Sequence, residues 1–166
     1  MSGLEIERKF LVRHDSDFRS QATGRSTIRQ GYMPARTATV RIRTRDDKGY
    51  LTIKGPSVNG GMTRYEFEKE ITLDEASHLL ALCDPGVIEK ERYLVPVGSH
   101  VFEVDVFHGD NEGLIMAEVE LGSEDEPYER PDFLGPEVTG DRRFYNSHLR
   151  RQPYCLWRAT LPEEYR

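Results

Sequence analysis

The stretch LEIERKFLV, residues 4–12, places charged residues at every second position near the start of the chain. Neighbouring side chains of a β-strand point to opposite faces, so Glu5, Glu7 and Lys9 would share one face of a strand. Same-face neighbours lie roughly 6–7 Å apart, and two carboxylates at that separation repel by about 2 kcal/mol at an effective dielectric near 20. The pattern therefore predicts a strand whose charged face meets compensating charges.

Six further segments have the same period of two. They are TATVRIRTR (37–45), YLTIKG (50–55), RYEFEKEITL (64–73), VIEKERYLV (87–95), HVFEVDVF (100–107) and IMAEVELG (115–122). Three of them carry cations on the charged face, and three carry carboxylates. Like charges two positions apart repel each other, so this sorting by sign costs free energy unless opposite charges occupy the same space.

Any one of these segments, taken alone, is typical of an ordinary amphipathic strand with its charged face in water. Seven together, sorted by sign, are harder to explain in that way, and a sheet of about eight strands closed into a barrel would place the charges inside. The predicted cations of the lumen are Lys9, Arg41, Arg43, Lys54, Lys90 and Arg92. The predicted anions are Glu5, Glu7, Glu66, Glu68, Asp105, Glu118 and Glu120.

The charges of such a lumen indicate which ligands it binds, because buried charges are tolerated only when they pair with each other or with bound ions. The cations suit a chain of oxyanions such as triphosphate, since arginine binds phosphate oxygens bidentately and lysine acts as a point charge. The carboxylates suit a hard divalent cation, Mg²⁺ or Mn²⁺, that prefers oxygen ligands.

The composition narrows the class of protein further. With 166 residues, we expect one domain. The net charge of −6 argues against a nucleic-acid partner, and no apolar run approaches the roughly 20 residues that span a membrane. The first strand starts too early for a signal peptide, so we expect a cytoplasmic protein. Cys83 and Cys155 lie too far apart to indicate a zinc site or a disulfide framework.

Helical patterns are fewer. Thr72 and Glu75 form a predicted capping box for a helix through about Cys83, with Leu79, Leu80 and Leu82 packed inward. Further helices are predicted over Asp141–Arg151 and Asp15–Gln21, and loops over Gly55–Gly61 and Ser123–Gly135. We expect Trp157 to pack against the barrel. Two questions stay open: whether Tyr32 lies at the tunnel mouth or packs in the core, and whether Arg142 and Arg143 reach the tunnel.

The order and spacing of these motifs resemble the CYTH superfamily, also called triphosphate tunnel metalloenzymes. The resemblance rests on EIERK (5–9), which has the ExExK form, and on VRIR (40–43), LTIK (51–54), YEFEKE (65–70), EKERY (89–93), EVDVF (103–107) and AEVELG (117–122). It extends to the region of Asp141–Asn146. The short, single-domain bacterial members, several of them inorganic triphosphatases, are the most similar.

This resemblance implies a mainly β, α+β fold: an eight-stranded antiparallel β-barrel with a few flanking helices. It places one tunnel domain over residues 1–166, in which residues 141–166 form a C-terminal helix and tail. It also implies a divalent-metal-dependent activity on a small triphosphate. Glu5, Glu7, Glu118 and Glu120 would hold the metal, with help from Glu66, Glu68 and Asp105. Lys9, Arg41, Arg43, Lys54, Lys90 and Arg92 would bind phosphate and act in catalysis.

The leading hypothesis is a hydrolase that splits tripolyphosphate into pyrophosphate and phosphate. Adenylate cyclase, thiamine triphosphatase and nucleoside triphosphatase activities remain alternatives on the same scaffold. A non-catalytic polyphosphate-binding module is a further alternative, although it would gain little from so many carboxylates opposite a polyanion. A barrel with solvated charges and no phosphate affinity is the plainest alternative. The oligomeric state is left open, a homodimer included.

Overall fold

The structure, a computed structural model, describes residues 2–166. The strands are β1 (Ser2–Val12), β2 (Gly24–Met33), β3 (Thr39–Arg45), β4 (Lys48–Lys54), β5 (Thr63–Ile71), β6 (Ile88–Val97), β7 (His100–Phe107), β8 (Ile115–Glu120) and β9 (Leu134–Glu137). The α-helices are α1 (Phe18–Gln21), α2 (Leu73–Leu80) and α3 (Asn146–Leu149). Within residues 2–166, no helix is both long and apolar enough to cross a membrane.

Eight of the strands form a closed antiparallel barrel, in the order β1, β8, β7, β6, β2, β3, β4, β5. Closure depends on β1, which pairs with β8 through Glu7–Leu11 and with β5 through Ser2–Ile6. The short strand β9 extends the sheet beside the far end of β1. The predicted fold, a mainly β protein built on an eight-stranded barrel, is therefore confirmed.

Two strands lie outside the seven predicted ones. Strand β9 is only four residues long, and β2 has Ser26, Ile28, Gln30 and Tyr32 at alternate positions, which carry no charge. Because strand prediction here relied on alternating charge, β2 was not detectable. It nevertheless joins β3 to β6 and thereby completes the barrel wall.

One outer side of the barrel is covered by an apolar core. Phe10 of β1 and Phe102 of β7 are fully buried on that side, together with Phe18 of α1. Phe133, in the long loop before β9, packs edge-on against both Phe18 and Phe102. The loop and α1 thus shield the sheet from water, and the charged residues of these strands are left to the lumen.

One end of the lumen is closed by the C-terminal segment. Phe144, Leu149 and Tyr154 are fully buried against Leu11, Ile88, Phe107 and Met116 at the ends of the barrel strands. Trp157 packs edge-on against Phe144 and Tyr154, in agreement with the prediction for this side chain. The lumen is therefore plugged by apolar side chains at one end.

The helices differ from the predictions in extent. Helix α2 ends at Leu80 instead of Cys83, Ala76 is its fully buried residue, and Leu82 is 70% exposed instead of packed inward. Helix α1 covers only the last part of the predicted Asp15–Gln21. The predicted helix Asp141–Arg151 is wrong: a 3₁₀ turn over Arg142–Phe144 and α3 replace it.

The break in that helix has a clear cause in the barrel. Tyr145 is extended, with φ −72° and ψ 131°, and its neighbours bind the lumen instead of continuing a helix. Lys9 donates from Nζ to the Phe144 carbonyl at 3.3 Å, and Lys90 donates to Asn146 Oδ1 at 2.9 Å. Contacts with distant strands therefore outweigh the local helical hydrogen bonds.

Replacing Thr72 by Ala is expected to lower the free energy of unfolding by about 1 kcal/mol. The predicted capping box is present: Glu75 N–H donates to Thr72 Oγ1, and Thr72 N–H donates to Glu75 Oε1, both at 3.0 Å. Urea denaturation measures the change, with Ser77→Ala in the exposed middle of α2 as the control. An equal loss in both variants would contradict the cap's contribution.

Candidate active site

A small cavity of about 40 Å³ lies directly beneath the C-terminal segment. We call it the basic chamber, because cations predominate in its wall. Those cations are Lys9, Arg41, Lys54, Arg64, Lys90 and Arg92, and the carboxylates are Glu7 and Glu118. All but Arg64 were predicted for the lumen from the sequence.

A second cavity of about 200 Å³ continues the lumen toward the other end of the barrel. We call it the acidic chamber, because seven carboxylates line it together with Arg41, Arg43, Arg45, Lys54 and Arg92. The carboxylates are Glu5, Glu7, Glu66, Glu68, Glu103, Glu118 and Glu120. Glu7 and Glu118 belong to both chambers, so one tunnel contains a basic part and an acidic part in direct contact.

Asp105 holds two of the cations in place. It accepts from Lys90 Nζ at 2.7 Å and from Arg92 Nε and Nη2 at 2.7 and 2.9 Å. Burial opposes its ionisation, but the charges of Arg92 and Lys90 lower the pKa of Asp105. Burial in turn lowers the pKa of Lys90 to about 8. This geometry favours a role for Asp105 in positioning the two cations over the predicted role as a metal ligand.

Glu5 and Glu66 share the charge of Lys54. Lys54 Nζ lies 2.9 Å from Glu5 Oε1 and 3.3 Å from Glu66 Oε2, and Arg64 Nε lies 3.4 Å from Glu5 Oε1. Burial opposes ionisation of Glu5, but a hydrogen bond with Glu66 and the charge of Lys54 lower its pKa to about 2. Burial and the hydrogen bond with Glu5 raise the pKa of Glu66 to about 7. The two carboxyl groups together therefore hold one proton between about pH 2 and about pH 7.

Carboxylates are crowded on β1, β7 and β8. Glu7 lies directly opposite Glu120, and Glu103 lies directly opposite Glu118. Burial and the charge of Glu118 raise the pKa of Glu7 to about 8. Like charges facing each other across strands are destabilising, and a divalent cation among them would relieve the repulsion. The oxygen donors of these side chains therefore fit a hard metal ion.

The carboxylates are turned toward protein cations in this structure. Lys9 Nζ lies 3.4 Å from Glu118, and Glu5 is held by Lys54 and Arg64 as described. Accordingly, no group of three or more His, Cys, Asp or Glu side chains in residues 2–166 is already arranged as a metal site.

Arg41 and Arg43 leave hydrogen-bonding capacity unused. Arg43 Nη2 donates to Glu68 at 3.1 Å, and Arg41 Nη2 donates to Thr52 Oγ1 at 3.2 Å. The Nε atoms of both arginines are buried and have no hydrogen-bond partner within the described residues. Burial and the nearby charge of Arg41 lower the pKa of Arg43 to about 9. Two adjacent guanidinium groups with unpaired donors suit an anionic ligand.

Sequence reasoning missed several residues of the tunnel wall, among them Arg45, Arg64, Glu103, Tyr145 and Asn146. Arg64 and Glu103 were detectable, because Arg64 shares a strand face with Glu66, and Glu103 was part of a recognised stripe. Tyr145 and Asn146 were not, because they lie in the irregular C-terminal segment, where no periodic pattern marks them. Asn146 accepts from both Lys90 and Gln30, and the Tyr145 ring lies 5.2 Å from Lys9 Nζ.

The two open questions have different answers. Tyr32 is 4% exposed, packs in the apolar core at the closed end, and also lines the basic chamber, so both alternatives apply to it. Arg143 is bound to Asp141 through Nη2 at 2.7 Å, outside the tunnel. Arg142 is exposed and lines cavities beyond the basic chamber instead of the chamber itself.

Comparison with known proteins agrees with this architecture. The profile of the CYTH domain matches residues 3–145. An inorganic triphosphatase of Acetivibrio thermocellus is 47% identical over 92% of this chain and 96% of its own length. One of Nitrosomonas europaea is 36% identical over 87% of this chain and 95% of its own length. A crystal structure of an inorganic triphosphatase superposes with a TM-score of 0.62 at 31% identity, covering 87% of this chain and 93% of that one.

Proposed function

The chain belongs to the CYTH domain family, and we propose on that basis that it is a divalent-metal-dependent triphosphatase acting on inorganic tripolyphosphate. The observation that carries the proposal is the direct contact between a basic and an acidic chamber in one lumen. The two relatives named inorganic triphosphatase support it, because each aligns over most of both chains. The products would be pyrophosphate and phosphate.

The substrate's phosphates would bind at the basic chamber and the adjoining arginines. The residues proposed for this role are Lys9, Arg41, Arg43, Lys54, Lys90 and Arg92, with Arg64 added from the structure. Most of these side chains are held by Asp105, Glu118 and Glu68 before substrate arrives, and Lys54 and Arg64 are held by Glu5, so the phosphate-binding groups are largely in place. The unpaired Nε groups of Arg41 and Arg43 would donate to phosphate oxygens.

Magnesium or manganese would bind at the acidic chamber. Glu5, Glu7, Glu118 and Glu120 are the proposed ligands, and Glu66 and Glu68 would assist directly or through water. A bound divalent ion would neutralise phosphate charge and lower the pKa of a water molecule beside the substrate. Substrate would also compete for Lys54 and Lys9, and thereby release the carboxylates that these lysines now hold.

In the proposed reaction, water attacks a terminal phosphorus and the bond to the bridging oxygen breaks, so that pyrophosphate leaves. Arg41, Arg43 and Arg92 would stabilise the negative charge that moves onto the leaving group. The apolar plug formed by Phe144, Leu149 and Tyr154 keeps bulk water out of that end of the lumen. Electrostatic interactions inside the basic chamber are correspondingly stronger than at the surface.

The side chains that line the two chambers favour an inorganic substrate over a nucleotide. The acidic chamber is lined by charged side chains alone, and the basic chamber offers only Tyr32 and Tyr145 as aromatic rings. Tyr32 is buried in the plug, and Tyr145 lies between Lys9 and Arg64, at 5.2 and 5.7 Å. Neither ring is placed as an open stacking platform for a base or a thiazolium.

Phosphate release from tripolyphosphate, ATP and thiamine triphosphate, each with and without Mg²⁺ or Mn²⁺, tests the proposal. We expect metal-dependent release that is strongest on tripolyphosphate and is reduced about 100-fold or more in Glu5→Gln and Arg41→Ala. The exposed Arg29→Gln variant is the control. Activity confined to an organic triphosphate would replace this assignment, and metal-independent binding without release would indicate a binding module.

A further inference from the structure

Two cavities lie outside the basic chamber, around the C-terminal segment and the loops after β2 and β4. Their volumes are about 250 and 430 Å³. No Asp or Glu side chain among the described residues lines either of them. In a chain with 29 acidic residues and a net charge of −6, this carboxylate-free surface is a local exception. We call the two cavities together the vestibule.

Three of the arginines that line the vestibule carry unpaired positive charge. Arg36 and Arg151 line the smaller cavity, and Arg142 lines both. All three are exposed, and none has an ion-pair partner within the described residues. Their sequence neighbours behave differently, because Arg143 is bound to Asp141 and Arg150 to Asp84. Arg150 also lines the smaller cavity and Arg64 the larger one, but both are ion-paired, so the unpaired cations of the vestibule are Arg36, Arg142 and Arg151.

The vestibule adjoins the tunnel and shares part of its wall. Thr39, Tyr145 and Ser147 line the basic chamber and both cavities of the vestibule, and Tyr32 lines the basic chamber and the smaller cavity. Arg64 lines the basic chamber and the larger cavity. Hydroxyl groups of Thr37 and Ser57 add further hydrogen-bond donors to the larger cavity. A row of cations and donors therefore leads from the tunnel to the surface.

We propose that the vestibule is a second phosphate-binding site, in which Arg36, Arg142 and Arg151 bind phosphate oxygens outside the tunnel. Arginine suits this role because its planar fork matches two oxygens of a phosphate group. The proposal rests on the triphosphatase function proposed above. The phosphate could belong to the distal part of a linear polyphosphate whose end occupies the tunnel, or it could be a separate pyrophosphate ion.

The test compares two variants that lose the same charge. The vestibule variant is Arg36→Gln/Arg142→Gln/Arg151→Gln. The control variant, Lys69→Gln/Arg158→Gln/Arg166→Gln, removes exposed cations that line neither the vestibule nor the tunnel. Thermal denaturation checks that both fold. The measured quantities are KM for tripolyphosphate, KM for medium-chain linear polyphosphate, and inhibition by added pyrophosphate.

If the vestibule binds the distal part of a chain, KM for linear polyphosphate rises about tenfold in the vestibule variant, while KM for tripolyphosphate changes less than about twofold. If the vestibule binds a separate ion, neither KM value rises in the vestibule variant. Added pyrophosphate then inhibits the vestibule variant more weakly than it inhibits the wild type. Either result supports the site when the control variant behaves as wild type. Equal effects in both variants, or none in either, would overturn it.

Failure of the triphosphatase function would be visible separately, as absence of tripolyphosphate hydrolysis by the wild-type protein. Calorimetric titration with pyrophosphate and with linear polyphosphate, without metal, then measures the binding affinity of the vestibule directly. Weaker binding of either ligand to the vestibule variant than to the control variant supports the site. Equal binding to both variants counts against it.

Discussion

Replacing Glu7 by Gln is expected to lower metal-dependent phosphate release about 100-fold or more and, at the same time, to stabilise the metal-free fold. Glu7 lies opposite Glu120 and close to Glu118, in the part of the lumen shared by both chambers. A neutral amide removes a proposed metal ligand and also the repulsion among these carboxylates. Phosphate release measures the first effect, and urea denaturation in chelator measures the second.

The pH dependence of stability gives the same substitution a second readout. Burial and Glu118 raise the pKa of Glu7 from 4.5 to about 8, so between these pH values the folded protein binds a proton that the unfolded chain has released. The metal-free wild type should therefore lose stability as pH rises from about 4.5 to about 8, and Glu7→Gln should lose less. Glu70→Gln, at an exposed position of β5, is the control. A variant less stable than wild type at pH 8 would contradict the argument.

Replacing Arg92 by Met is expected to lower the free energy of unfolding by about 3 kcal/mol. Arg92 binds both oxygens of Asp105, and Asp105 is only 2% exposed. Without Arg92, that carboxylate keeps Lys90 at 2.7 Å but loses its bidentate partner. A buried charge deprived of its partner costs several kcal/mol, more than the pair itself contributes. Urea denaturation at neutral pH measures the loss.

A double-mutant cycle separates the lost ion pair from lost packing. Arg92→Met/Asp105→Leu removes both charges, so its loss of stability should be smaller than the sum of the losses in Arg92→Met and Asp105→Leu; the cost to Lys90 of losing Asp105 is common to both variants that lack it and cancels. Arg25→Met, at an exposed position of β2, is the control for the substitution itself. If the double variant were less stable than the sum of the two single variants predicts, the buried pair would not be the cause.

The barrel could be predicted because its lumen is charged. Alternation of Glu5, Glu7 and Lys9 with apolar neighbours marks a strand, and the sorting of charge by sign in later strands indicates an enclosed face. Where lumen positions are uncharged, as at Ile28 and Gln30 of β2, the same reasoning finds no strand. The prediction of strands therefore depended on alternating charges, and it failed where a strand has none at its lumen positions.

The C-terminal segment shows the limit of local patterns. Its sequence has helical spacing from Asp141 to Arg151, yet the backbone is extended at Tyr145. Lys9 and Lys90, more than fifty residues away along the chain, hold Phe144 and Asn146 by hydrogen bonds. Such contacts between distant residues have no periodicity that a local window could detect.

The sequence by itself determined seven of the nine strands, the charged face of the barrel and the family, because alternation along a strand is a local property. Only the tertiary structure decided which charges pair. Asp105 binds Lys90 and Arg92, Glu5 binds Lys54 and Arg64, and the plug closes one end of the lumen. Pairing depends on strand register and on the path of the last residues. Both are set by the packing of the whole chain, since the energy of a charge depends on everything that surrounds it.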